Sequence, residues 1–343
     1  MRMRQLYAVF RLEITKSFFS KRGLWIYILA LIPISIWLIH GIDRQQDQKR
    51  ASVTKEQVAK VETGMTRDEV IALLGDPPER VTFGGRRNRT TQFRYYDGHG
   101  THRINIREDK VTSVRHDEGC ELGEESKIFA AVFQFFFVRL AIFFGCLFVF
   151  MNLFRGEILD KSLHYYFLAP VRREIVVAGK FLAGLCATVV IFGGSALLQM
   201  AAFTWHLPAT AYQEYMAQGQ MGAHLFGYVV EAAMACLGYG SVFLAAGMLL
   251  RNPLIPAVTI LFWESISGVL PAMLRKISVI YWLKSMAPVE VPIERGVPPP
   301  IALLAVNVEP APMYVAVLGL FALAAALLYV SGRKVRTLQI NYE

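Results

Sequence analysis

The sequence predicts a mainly α-helical, polytopic membrane protein with about six transmembrane helices and a small α+β extracytoplasmic domain inserted between helices 1 and 2. Three observations predict it. Of 343 residues, 54% are hydrophobic and 18% charged, with a mean hydropathy of +0.38, far more apolar than an ordinary soluble domain. The apolar residues gather in blocks near the length a bilayer demands, including the run from Leu24, FFFVRLAIFFGCLFVF and residues 313–330. Between the first two blocks lies a polar stretch of about 85 residues, ending at Lys127, with no run long enough to cross.

Residues 1–23 carry Arg2, Arg4, Arg11, Lys16, Lys21 and Arg22, and Leu6, Val9, Phe10 and Ile14 are spaced to share a helical face. They read as an interfacial helix, or as a basic flank that only sets topology. The apolar run that follows has no A-x-A-like cleavage site, so an uncleaved anchor is expected. Expected spans are 24–39, 128–154, 175–205, 225–250, 253–274 and 313–330. Arg155, Lys161, Arg172 and Arg173, then Arg251, then Arg333, Lys334 and Arg336 mark the cytoplasmic side. This places both termini in the cytoplasm and residues 42–126 outside. Arg275, Lys276, Lys284 and Arg295 oppose that rule. A re-entrant or interfacial helix pair around IYWLKSMAP accounts for them, with a seventh span as the competing count. The domains expected are 1–41 (interfacial helix and first span), 53–118 (the insert) and 128–343 (five further spans).

The net charge of +9 sits largely beside the spans, where anionic lipid and topology explain it, so nucleic acid is not an expected partner. Cys146, Cys186 and Cys236 lie in apolar blocks and Cys120 alone in the insert, which suggests no disulfide framework. His99, His102, His116 and Cys120 lack any recognised ligand spacing, and no metal is expected.

In the insert, Thr54-Lys-Glu-Gln57 and Thr66-Arg-Asp-Glu69 fit the capping box, predicting helices over 54–63 and 66–74. Gly75, Pro77 and Pro78 end the second helix. Strands are predicted at 80–83, 91–96, 103–107 and 111–115. VAKVETGMTRDEVIALLGDPPERV, TQFRYYDG and INIREDKVTSVRH resemble the SmpA/OmlA-type small outer-membrane lipoprotein that accompanies barrel assembly. Gly64, Met65, Thr66, Val70, Leu74, Gly75 and Pro77 match its helical signature. The resemblance covers about residues 53–118 and implies a fold and a contact with an envelope protein, not an enzyme.

The segment FRGEILDKSLHYYFLAPVRREIVVAGKFLAG, residues 154–184, resembles the cytoplasmic coupling segment of type 2 ABC exporter permeases. The matching residues are Glu157 and Asp160, Ser162 and Leu163, the apolar stretch 165–168, Pro170 and Val171, Arg172 and Arg173, then Gly179 and Lys180; Lys161 stands where the family often has glycine. A short amphipathic segment stopped by Pro170 suits the groove of a soluble partner. The chain has no G-x-x-x-x-G-K-[ST] loop. The resemblance therefore implies a separate nucleotide-binding ATPase subunit holding ATP and Mg, two copies of each, and a permease homodimer or heterodimer.

Arg139, Glu231 and Glu264 fall inside apolar spans, where each charge costs about 2.5–3.5 kcal/mol on insertion scales. Near mid-depth, Arg139 and Glu264 are expected to pair or to line a polar cavity, as a structural ion pair or as part of a substrate path. Gly193, Gly194, Gly238, Gly240 and Gly247 permit close helix approach. No catalytic constellation is present, so a non-enzymatic transport subunit in a bacterial inner membrane is the leading expectation. The alternative is a membrane-anchored adaptor that presents the insert to an envelope-assembly complex.

Overall fold

The structure, a computed structural model, describes residues 2–19, 24–49, 53–83, 90–97, 101–117, 122–159, 171–205, 207, 209–250, 254–267, 270–289 and 311–336. It divides into two compact units. One comprises Ile36–Ser126 with Ala202–Gln218, the other Met1–Ser35 with Lys127–Ala201 and Gly219–Glu343.

Helices α1 (Arg2–Phe19) and α2 (Leu24–Lys49) open the chain. In the first unit, α3 (Lys55–Val58) and α4 (Arg67–Leu74) precede strands β1 (Glu79–Phe83), β2 (Thr90–Tyr96), β3 (Thr101–Arg107) and β4 (Lys110–Asp117). The strands form one antiparallel meander in the order β1-β2-β3-β4. Both capping boxes form. The Thr54 amide donates to Gln57 Oε1 at 2.8 Å and the Thr66 amide to Glu69 Oε2 at 2.8 Å, while the Gln57 and Glu69 amides donate back to the threonine hydroxyls at 3.4 Å. The first helix is shorter than the predicted 54–63, because the chain turns away after Val58 toward Gly64. Gly64 has φ 101°, a conformation open to glycine at little cost. From there the backbone pairs with the edge of β4: the Gly64 amide donates to the Val111 carbonyl at 2.9 Å and the Val111 amide to the Met65 carbonyl at 2.8 Å.

The inward side of this unit follows the alternation of the strands. Phe93 lies opposite Ile104, and Ile104 opposite Val114. Phe93, Tyr95, Ile104, Ile106 and Val111 join Val58, Val70 and Leu74 in one core. The Tyr95 hydroxyl donates to the Gly75 carbonyl at 2.9 Å, tying β2 to the end of α4. Burial pushes the Tyr95 phenol up to about 12, the Asp76 carboxylate adding to this and Arg80 opposing it.

Among the described residues, five helical stretches are long and apolar enough to cross a membrane: Leu24–Asp43, Glu125–Leu153, Arg173–Trp205, Gln220–Leu249 and Met313–Arg336. The second is composite, made of α5 (Leu122–Val132), a ten-residue π-helix (Phe133–Ile142) and α6 (Phe143–Leu159). The others after α2 belong to α7 (Arg173–Trp205), α9 (Gln220–Leu249) and α13 (Met313–Arg336), with α8 (Ala209–Ala217) lying between α7 and α9 in sequence.

The region expected to form a span at 253–274 is divided. Helix α10 (Leu254–Ile266) has 13 residues, about 20 Å of rise against a hydrocarbon core of about 30 Å. Two short helices follow, α11 (Ala272–Arg275) and α12 (Val279–Lys284). Pro271 is the N-cap of α11, a position where a proline ring with no N–H can start a helix but not continue one. In the second unit α9 is central and packs against α6, α12, α13 and the π-helix. Added Cβ atoms on Gly238 and Gly240 would come within 2.6 Å of Val279 and 2.7 Å of Phe150, and one on Gly247 within 3.3 Å of Met151, whereas Gly193 and Gly194 have nothing within 4 Å. Close approach thus explains three of these five glycines.

Candidate functional site

Two groups of polar residues stand out, one inside the bundle and one at the start of α7. The first begins with the π-helix. In an α-helix, residues five apart point about 140° away from each other. The i→i+5 bonding of a π-helix brings them close to the same side. Gln134 and Arg139 have this spacing, and both are buried.

Gln134 Nε2 donates to Glu231 Oε1 at 2.5 Å. Glu231 on α9 is fully buried, and neither its Oε2 nor Gln134 Oε1 has a hydrogen-bond partner. An unmet polar atom in such a place costs about 1–3 kcal/mol. The pair stands beside packed rings: Phe133 and Phe129 lie 4.6 and 5.0 Å from Tyr228, three residues before Glu231.

Arg139 Nη2 donates to the main-chain carbonyl of Glu264 at 3.0 Å. Arg139 thus reaches residue 264 through its main-chain carbonyl. The Glu264 carboxylate has work elsewhere, accepting from Ser278 Oγ at 2.5 Å and from the amides of Val279 and Ile280 at 2.9 and 3.0 Å. These are the otherwise unmatched donors at the start of α12, so Glu264 and the N-cap Ser278 together hold α12 to α10. Three accepted bonds are what a buried carboxylate needs.

At the start of α7, Glu13 and Lys180 form a buried ion pair between α1 and α7, Oε1 to Nζ 2.9 Å, with Lys16 Nζ 3.6 Å from the same carboxylate oxygen. Gly179 lets α1 lie this close: a Cβ there would meet Val9 at 2.7 Å. Arg173 Nη1 donates to the carbonyls of Val335 and Arg336 at 3.4 and 3.3 Å. Arg336 in turn bonds Glu174. The arginine meets the negative end of α13 and the glutamate occupies the positive end of α7, so each charge suits its helix dipole.

Of the expected coupling residues, Arg172 is exposed and Arg173 belongs to this junction. Asp160, Lys161, Leu163 and Pro170 lie outside the described residues, as does the side chain of Glu157. In the insert, His102 Nε2 meets Asp97 Oδ2 at 2.8 Å. His99, Cys120 and the side chain of His116 lie outside the described residues.

The sequence reading missed Gln134, Ser278 and Glu13. Two signals were available: a lone acid within the basic stripe of α1, and a five-residue spacing between the only polar residues of a phenylalanine-rich run.

Comparison with known proteins finds one family. The model for the outer membrane protein assembly factor BamE domain matches residues 51–112. That stretch holds α3, α4 and the β1–β3 strands with the start of β4. No curated protein and no solved structure matches the chain.

Proposed function

We propose that this chain is the membrane-spanning permease subunit of an ATP-driven ABC exporter, energised by a separate nucleotide-binding subunit and carrying a BamE-like domain outside the membrane. The observation that carries the reading is the junction at the C-terminal end of the coupling-like segment 155–174 and the first turns of α7 that follow it. There Arg173 and Glu174 engage the end of α13, and Gly179 and Lys180 engage α1. A push on the segment from a soluble ATPase would be delivered to α7, α13 and α1 at once. ATP and Mg belong to the partner, two permeases as homodimer or heterodimer frame the path, and Arg139, Glu231 and Glu264 face or support it. The chain resides in a bacterial inner membrane with both termini cytoplasmic and residues 42–126 extracytoplasmic.

The family match favours a second reading, in which the bundle anchors the BamE-like domain and presents it to an envelope-assembly complex without transport. Gentle detergent extraction from native membranes separates the two. The permease reading expects an ATP-hydrolysing protein to co-purify with the chain and to leave on Pro170→Ala/Arg172→Glu. Purification with envelope proteins alone would favour the adaptor and remove the exporter reading.

A further inference from the structure

We infer that Glu231 is a proton-binding site: a neutral carboxylic acid whose Oε2–H donates to Gln134 Oε1 while Gln134 Nε2 donates to Glu231 Oε1. Gln134 and Glu231 already share one hydrogen bond of 2.5 Å. Each of these two side chains also has a buried oxygen with no hydrogen-bond partner, Glu231 Oε2 and Gln134 Oε1. Both are acceptors when the glutamate is ionised, and two acceptors cannot satisfy each other. One added proton turns Oε2 into a donor, so that a single O–H bond supplies both missing partners. Exchanging the amide's O and N leaves the conclusion unchanged, because a two-bond pairing of amide with carboxyl requires the carboxyl to hold its proton in either orientation.

The surroundings agree. Glu231 is 0% exposed and Gln134 is 7% exposed, and Phe133 and Tyr228 flank them as neutral rings. Among the described residues of the elements packed around α9, four groups that titrate or carry charge have contacts or neighbours of their own, and His224 stands seven residues before Glu231 on α9 itself. Arg139 of the π-helix and Glu264 of α10 engage each other and α12; Cys146 of α6 faces the Cys236 carbonyl; Lys284 of α12 lies within electrostatic reach of Arg139. Tyr239, on α9 itself, is within electrostatic reach of Glu231 and is neutral as a phenol. Binding takes one proton from water, forms one O–H bond and brings the carboxyl from a charge of −1 to zero. The site joins the π-helix to α9, so moving these helices apart breaks both bonds and returns the carboxyl to an environment where it can release the proton. This inference is independent of the exporter reading.

The test is infrared spectroscopy of the full chain in lipid nanodiscs over a pH series, with the proton as the only ligand. The expected result is a protonated-carboxyl C=O band at pH 7 that Glu231→Gln removes, and that Gln134→Leu moves to higher frequency by removing its hydrogen-bond donor. Glu231→Gln should also melt at the wild-type temperature at pH 7, since an amide pairs with Gln134 through the same two bonds, whereas Glu231→Ala should melt lower. A carboxylate band lost in Glu231→Gln with the protonated-carboxyl region unchanged, a band that Gln134→Leu does not move, or equal destabilisation by Gln and Ala would each overturn the proposal.

Discussion

Tyr95 shows how a single side chain links sequence, packing and pH response. It alternates inward from β2, enters the core and bonds the carbonyl of the helix-ending Gly75. Its phenol is raised to about 12 in the folded state from an ordinary value of 10.0. Below pH ~10 both folded and unfolded chains keep the proton; between about 10 and 12 only the unfolded chain releases it. Stability of the inserted domain should therefore be full below pH ~10 and fall toward pH ~12. Tyr95→Phe should flatten that fall while costing about 1 kcal/mol at neutral pH through the lost hydrogen bond, read by pulse proteolysis in urea on the full chain. Glu264 gives a second test at this scale. Because its carboxylate serves Ser278 and two amides, the double exchange Arg139→Glu/Glu264→Arg should fail to restore thermal stability lost in Glu264→Arg. Recovery would mean that the two side chains act only as an ion pair. The need for polar partners at 139 and 264 is legible from their place in apolar runs. The partners themselves are not, because they come from elements far away in sequence, as with Gln134 and Glu231, 97 positions apart.

Elements defined by local chemistry are the ones the sequence predicts best. The two capping boxes and all four strands of the insert lie where threonine, glutamine, glutamate and alternating apolar residues place them, since each depends on neighbours a few positions away. Thr66→Ala should cost about 1 kcal/mol by freeing the Glu69 amide, seen as faster hydrogen exchange across α4. The interruption after α10 is legible in Pro271, though the apolar run continues to Leu274 and reads as one span. The π-helix has no such signal beyond the Gln134–Arg139 spacing. Between elements, the Glu13–Lys180 pair sets the position of α1, and its removal from one side leaves a buried charge. Lys180→Met alone should destabilise by less than the ~3–5 kcal/mol of a wholly uncompensated buried charge, because Lys16 stays 3.6 Å from Glu13, and adding Glu13→Met should recover most of the loss, as measured by unfolding in detergent. A double variant as weak as the single one would show that α1 is not held by this pair.

For the whole molecule, run length and composition point to a polytopic bundle with an insert, and among the described residues five helical stretches are long and apolar enough to span. Partner identity is a different matter, because it depends on surfaces that only another chain completes. The BamE-like match is confined to residues 51–112, while the permease reading rests on the coupling-like segment and the junction it leads into. These occupy separate parts of the chain, so an envelope contact at the insert is compatible with transport by the bundle. The most direct measurement is site-specific photocrosslinking in native membranes, with a photoreactive amino acid placed at position 163. The expected result is an adduct with a protein that binds an ATP analogue, lost when Arg173→Glu disrupts the junction. Adducts formed from position 83 of the insert but none with an ATP-binding protein from position 163 would contradict the exporter account.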